Sequence, residues 1–371
     1  MIEGCLSKLL RVNSGVPQGS ILGPLFYTLF TNELPEVIYD NTSQEGVDPS
    51  LVQVWPAYRA DPAEGGDGEI CCYADDTTLS MSDSNPATLS ASLSNKYRII
   101  AQFMVDNRLK LNDDKTHLLV MGPSQDTGHV RIITPTEVIR PTSTEKLFCC
   151  FISKDLTWMD YIKGNKDNLM KSLNLRLGAI RKIRYLASFK NRKMIAEGIF
   201  MSKLSYLIAL WGGCGIGLRK SLQAIQKKVA QAVTRGDWSA PSKKLLQQCG
   251  WMNVNQLIFY HSVLLVYKVK QSQGPRYLYN MHNSWSYPYS TRQAETGLIR
   301  VINKPKLELA KESFRWRAAN SYNQLPTDIR TSSKVEIFKK KVKPWIMDNI
   351  STLTRQIDVF LPPLHIKWWM F

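Results

Sequence analysis

At 371 residues and 44% hydrophobic composition the chain can bury the cores of two or three domains, which excludes wholesale disorder. Its seven cysteines include two adjacent pairs (Cys71-Cys72 and Cys149-Cys150) and no CxxC, which excludes a disulfide framework or zinc knuckle and predicts buried thiols in a reducing compartment. The net charge of +17 is uneven: residues 1–150 carry −8 and residues 151–371 carry +25, as expected of a chain whose back half grips a polyanion.

Met1 to Arg11 holds charges and no long apolar run, so no signal peptide is expected. The most apolar later run, Leu204 to Leu218, is too short to span a bilayer and is bounded by Lys203 and Arg219. The expectation is a protein without a membrane segment, in the cytoplasm or nucleus.

From Ile21 to Leu34 apolar residues recur at helical spacing, entered through Gly19-Ser20 and closed by Pro35. Residues 40 to 69 are rich in Pro, Gly and Asp and read as a surface insertion. Ile70 to Ser82 predicts strand, tight turn and strand, with Ala74, Asp75 and Asp76 at the bend. A helix follows over Ala87–Leu109, then strand character near His117–Gly122, and strands over Arg131–Ile139 and Lys146–Ile152. Beyond residue 160 the pattern turns helical: Asn168–Ala187 carries Leu169, Leu173, Leu177, Ile180 and Ile183 on one face, and helices continue over Arg192–Trp211, Leu218–Thr234 and Val254–Lys270. A Pro/Tyr/Asn-rich connector spans Gly274–Tyr289, and a basic segment ends in KVEIFKKKVKPW.

Three segments carry chemistry. Two carboxylates at a hairpin bend, Asp75 and Asp76 in YADD, can hold a hard divalent cation, although Asp-Asp is also ordinary turn chemistry. In SGVPQGSILGPLF, Gly15 and Gly19 allow close approach of a base pair or backbone, and Gln18 offers amide groups; the plainer reading is a loop capping a helix. In NRLKLNDDKT, Lys115 stands where a general acid could act, or is simply solvated.

In this order the three segments resemble reverse transcriptases, more closely those of non-LTR, LINE-like retrotransposons. LFCCFI followed by DLTW is similar to the family's primer-gripping segment, which usually has Leu-Gly where Cys149-Cys150 stand. SFRWRAA, NQLP and Phe338-Lys339 are similar to the tail of such elements. The resemblance implies an α+β fold: a partial polymerase palm (antiparallel sheet with helices) over 1–158, a mainly α-helical thumb and connection over 159–273, and a basic C-terminal region over 274–371. It implies RNA-directed DNA synthesis by two-metal nucleotidyl transfer with Mg²⁺ (or Mn²⁺), on an RNA template and DNA primer with deoxynucleoside triphosphates. Asp75 and Asp76 become metal ligands, and Lys115 the acid that protonates pyrophosphate. Gly15, Pro17, Gln18, Gly19, Tyr73 and Ala74 would meet template and nucleotide, while Cys149, Cys150 and Phe151 grip the primer. Lys171, Arg176, Arg181, Lys182 and Arg184 would meet the nucleic-acid backbone.

The family places a further metal-binding aspartate well ahead of the glycine-rich block. Here thirteen residues precede Ser14 and their sole acid is Glu3, so an N-terminally truncated enzyme of weak activity is the expectation. Alternatives are a non-catalytic nucleic-acid-binding remnant, a relic without selected function, and a group II intron maturase.

Overall fold

Gly23-Pro24 opens the helix that the apolar spacing predicts, and α1 runs over Gly23–Phe30. In the computed structural model, residues 23–34, 37, 69–73, 76–122, 128–134, 137–271, 278, 296–301 and 311–349 are described. The predicted insertion over 40–69 lies outside them except for Glu69, and the connector over 274–289 except for Leu278. Two compact units divide the chain, Met1–Pro141 and Thr142–Phe371. Both strands and helices are present, as the α+β expectation requires. No helix among the described residues is long and apolar enough to cross a membrane.

In the first unit, β1 (Glu69–Tyr73) and β2 (Asp76–Ser80) pair antiparallel. Helix α2 (Pro86–Asp106) starts at Asn85, whose side chain accepts from the Ala87 N–H at 2.9 Å, with Pro86 supplying a helical φ where no N–H is needed. Its buried residues, Leu93, Lys96, Ile100, Phe103 and Met104, fall on one stripe. The C-terminal part of that stripe packs with Leu34 and Ile70, and Leu93 packs with Leu118, Val120, Val130, Ile132 and Ile139. Leu118 belongs to β3 (Leu118–Leu119), and the last two belong to β4 (Ile132–Ile133) and β5 (Val138–Ile139).

The single strand expected over Arg131–Ile139 is thus a small antiparallel hairpin. Thr134 turns it: its hydroxyl accepts from the Glu137 N–H and donates to the Glu137 carbonyl, both at 2.9 Å. Hydroxyls of Ser90 and Ser94 on α2 accept from the Arg131 and Ile133 N–H groups and tie this hairpin to the helix.

The second unit follows the two-residue strand β6 (Pro141–Thr142) and opens with another hairpin, β7 (Thr144–Leu147) and β8 (Cys150–Ser153), where one strand over Lys146–Ile152 was expected. Phe148 and Cys149 reverse the chain in the left-handed region, with φ of 48° and 60°. Helix α3 (Leu169–Lys182) is capped by Asn168, which accepts from the Lys171 N–H at 2.8 Å. Its Leu169, Leu173, Leu177 and Ile180 are buried as the spacing predicts.

The helix expected over Arg192–Trp211 is broken. α4 (Phe189–Ala196) runs into a wide π turn over Glu197–Met201, then α5 (Ser202–Ser205), and the chain re-enters as α6 (Ile208–Trp211) after Leu207 in the left-handed region. The break frees the Tyr206 carbonyl, which accepts from the fully buried Trp211 indole at 2.8 Å. That donor would otherwise be stranded in the core.

α7 (Ile216–Thr234) lies against α3 and buries Leu222, Ile225, Val229 and Val233. α8 (Ser242–Cys249) ends on Gly250 at φ 66°. α9 (Val254–Lys270) starts with a reciprocal capping box between Asn253 and Gln256. A second core joins α9 to α10 (Phe314–Asn323), α11 (Thr327–Arg330) and α12 (Val335–Asp348). There the Tyr267 and Phe338 rings stack with centroids 4.1 Å apart.

Candidate active site and nucleic-acid surface

The β1–β2 register pairs Ile70 with Leu79, Cys72 with Thr77 and Tyr73 with Asp76. Side chains alternate across a strand, so Ile70, Cys72 and Leu79 enter the core while Cys71 and Tyr73 face solvent. Opposed residues share a face, which sets Asp76 beside Tyr73 on the solvent side. Tyr73 is 64% exposed, and Asp76 is exposed too. Ala74 and Asp75, between the paired ends, lie outside the described residues, as do Gly15, Pro17, Gln18 and Gly19. Among the described residues no three His, Cys, Asp or Glu side chains converge as a metal-binding group.

One apolar cluster gathers what surrounds this hairpin. Leu34, just past α1, packs with Ile70 of β1 and with Ile100, Phe103 and Met104 of α2. Cys72, Leu79, Leu109 and Leu111 pack against the same cluster. The end of the glycine-rich block's helix, the hairpin and the start of the lysine-bearing block therefore share a core. Lys115 itself ends a single 3-10 turn, Asp113–Lys115, held by its N–H to the Asn112 carbonyl at 3.1 Å, and is exposed.

In the second unit Cys149 sits exposed at the tip of the β7–β8 hairpin and Cys150 is buried in β8. Position 149, at φ 60°, is where glycine is favoured by conformation, one residue ahead of the glycine that the resemblance aligned with Cys150. The Tyr206 hydroxyl donates to the Phe148 carbonyl at 2.9 Å, and Lys146 lies 5.6 Å from the Phe151 ring centroid. Burial pushes the Cys150 thiol up to about 11, with nearby Lys203 opposing the shift. The expectation of buried thiols is corrected for two: Cys71 is exposed on the solvent side of the β1–β2 ladder, and Cys149 is exposed in the turn between β7 and β8.

Of the basic residues expected to meet a nucleic-acid backbone, Lys171, Arg181 and Lys182 are exposed on α3. Arg176 is half-buried and donates to the Ser172 carbonyl at 3.0 Å and to its hydroxyl. Arg181 and the half-buried Arg184 line a cleft of about 420 Å³ together with Lys228 and Arg235 at the end of α7. Sequence reading missed the last two, together with the exposed Tyr185 and Trp238 of the same cleft. A basic residue and an aromatic closing two helices in succession, Arg184-Tyr185 and Arg235-Gly236-Asp237-Trp238, was the available signal.

Residues 1–169 match a family model described as reverse transcriptase (RNA-dependent DNA polymerase). The probable RNA-directed DNA polymerase from transposon X-element of Drosophila melanogaster is 22% identical over 236 residues, covering 64% of this chain and 23% of that protein. The RNA-directed DNA polymerase from mobile element jockey of Drosophila funebris is 22% identical over 240 residues, with the same two coverages. The chain thus spans about a quarter of the length of these curated relatives. No solved structure matches it significantly. Residues 1–169 are thus similar to reverse transcriptases, and the relatives from transposon X-element and mobile element jockey support the resemblance to non-LTR, LINE-like retrotransposons.

Proposed function

We propose that this chain forms the palm hairpin and helical thumb of an RNA-directed DNA polymerase, extending a DNA primer on an RNA template. The observation that carries the reading is the shared core: Leu34 beyond α1, the β1–β2 hairpin, and Leu109 and Leu111 of the lysine-bearing block pack with Ile70 and Phe103 and leave Tyr73 and Asp76 open on the outer face.

Asp75 and Asp76 are the carboxylates that would hold Mg²⁺ or Mn²⁺; an exposed carboxylate at a ladder end fits a hard cation that keeps water ligands. Such ions, when bound, activate the primer hydroxyl and neutralise the leaving pyrophosphate. Tyr73 supports the sugar at the primer end, Lys115 gives a proton to pyrophosphate, and Gln18 with Gly19 faces template and incoming deoxynucleotide. Cys149 and Phe151 at the β7–β8 tip steady the primer. The basic helices from Leu169 onward hold the template–primer duplex through phosphate contacts that weaken with salt.

Nucleotide addition in this scheme uses a further carboxylate beside Asp75 and Asp76. The test is primer extension on an RNA template with Mg²⁺, run on this polypeptide and on any longer product of its gene. Extension should vanish in Asp75→Ala and fall at least about tenfold in Asp76→Ala. Extension that survives both substitutions, or no extension by any form with either metal, would overturn the reading.

A further inference from the structure

The cleft at the joined ends of α3 and α7 has features that duplex binding does not require. Four cations line it, Arg181, Arg184, Lys228 and Arg235, against one acid, Asp237. Two aromatic side chains stand open in it: Tyr185 is 74% exposed and Trp238 is 80% exposed. Large rings left this bare in a basic cleft offer a stacking surface as well as charge.

The cleft is built rather than incidental. Arg235 takes the left-handed conformation at φ 56° and ends α7, so its side chain turns back onto the α3–α4 turn. There its Nε donates to the Arg184 carbonyl at 3.0 Å and its Nη2 to the Tyr185 carbonyl at 3.3 Å. The guanidinium carbons of Arg184 and Arg235 lie 5.4 and 5.6 Å from the Tyr185 ring centroid and brace it. On the other wall the Gln231 amide donates to the Asp237 and Trp238 carbonyls at 3.2 and 3.1 Å and fixes the loop that carries the indole. The buried Arg192 links the same two segments through the Val233 carbonyl at 2.8 Å and the Ala187 carbonyl.

We infer that this cleft binds an unpaired nucleotide of a single-stranded nucleic acid, its base stacked on Trp238 and its flanking phosphates on Arg181, Lys228 and Arg235. A paired base has both faces covered by its neighbours and offers nothing to Trp238, whereas an unpaired base has a free π-face. The volume of about 420 Å³ lies within the range of roughly 300–1,000 Å³ that holds small ligands. The site therefore takes template or product strand outside the duplex, a task separate from backbone contact to paired template and primer. It rests on a nucleic-acid partner but on no catalytic step.

The experiment is fluorescence anisotropy of the full chain with labelled oligothymidylate, oligouridylate and an RNA–DNA duplex of equal length. Trp238→Ala should weaken single-strand binding by about tenfold and change duplex affinity by less than about twofold, and Trp238→Phe should restore most of the loss. Because Trp238 is exposed, its removal should leave thermal unfolding unchanged. Arg181→Ala with Lys228→Ala should weaken both ligands and flatten the salt dependence. The thymidylate and uridylate arms tell a DNA occupant from an RNA one. The inference is overturned if Trp238→Ala leaves single-strand affinity unchanged, if it weakens duplex equally, or if polyglutamate displaces oligothymidylate as well as unlabelled strand does. Loss of the cleft effect with Asp75-dependent extension intact would sink this inference alone, and the opposite result would sink the polymerase reading alone.

Discussion

Tyr73 and Asp76 form the terminal pair of the β1–β2 ladder, on the face turned away from Ile70 and Cys72. The pairing separates two kinds of residue within one hairpin, those that hold it down and those it presents. Ile70 is 2% exposed, so Ile70→Ala should cost about 2–4 kcal/mol and lower the urea midpoint. Tyr73→Ala should leave stability within about 0.5 kcal/mol while reducing primer extension. A Tyr73→Ala variant as destabilised as Ile70→Ala would contradict this division.

Cys149 holds a left-handed conformation at φ 60°, where a Cβ costs about 1 kcal/mol or more and glycine costs nothing. Cys149→Gly should therefore raise stability by about 0.5–1 kcal/mol, net of the greater freedom glycine gives the unfolded chain. Thermal unfolding at neutral pH checks it; a lowered Tm would mean that the exposed thiol makes a contact worth more than the strain.

Burial pushes Cys150 and Cys249 up to about 11 and Cys214 up to about 12, from 9.0. The folded chain keeps these protons where the unfolded chain has lost them. Stability from this source is full below pH 9, falls as pH rises through 9 to about 11–12, and then levels off. The burial-raised Tyr161 and Tyr322 act in the same direction from pH 10 upward. The unfolding midpoint should fall between pH 9 and 11, less steeply in Cys214→Ala. An equal slope in the two proteins would remove Cys214 from the account.

The stack of Phe338 on Tyr267 anchors α12 to α9, and Phe338 is fully buried while its neighbour Ile337 is 39% exposed. Phe338→Ala should cost about 3–5 kcal/mol and Ile337→Ala less than about 1 kcal/mol, read from urea unfolding. Similar losses for the two would show that α12 packs by a different face.

The hairpin was legible because its signals are local: β-prone residues on either side of a tight acidic bend. Helices over Leu169–Lys182 and Val254–Lys270 were legible for the same reason, the first from its apolar stripe and the second from its long apolar run. Two kinds of feature were not. The Lys146–Ile152 segment folds back at Phe148 and Cys149, residues that carry no turn signal, and a tertiary donor at Tyr206 holds the bend. The C-terminal helices α10 and α12 hide their stripe among Arg and Lys, and only the opposing face of α9 reveals which residues are core. For the site, Lys115 and Asp76 could be named from their blocks, but Arg235 and Trp238 gain meaning only when the ends of α3 and α7 meet.

The proposed polymerase requires a divalent cation at the hairpin end. Replacing Mg²⁺ by Fe²⁺ with ascorbate and peroxide generates radicals at the bound ion and cuts nearby backbone, a readout that needs no polymerase activity. Cleavage should concentrate within β1–β2, be suppressed by excess Mg²⁺, and disappear in Asp75→Ala with Asp76→Ala. Cleavage spread evenly along the chain, or unchanged in that double variant, would contradict the account.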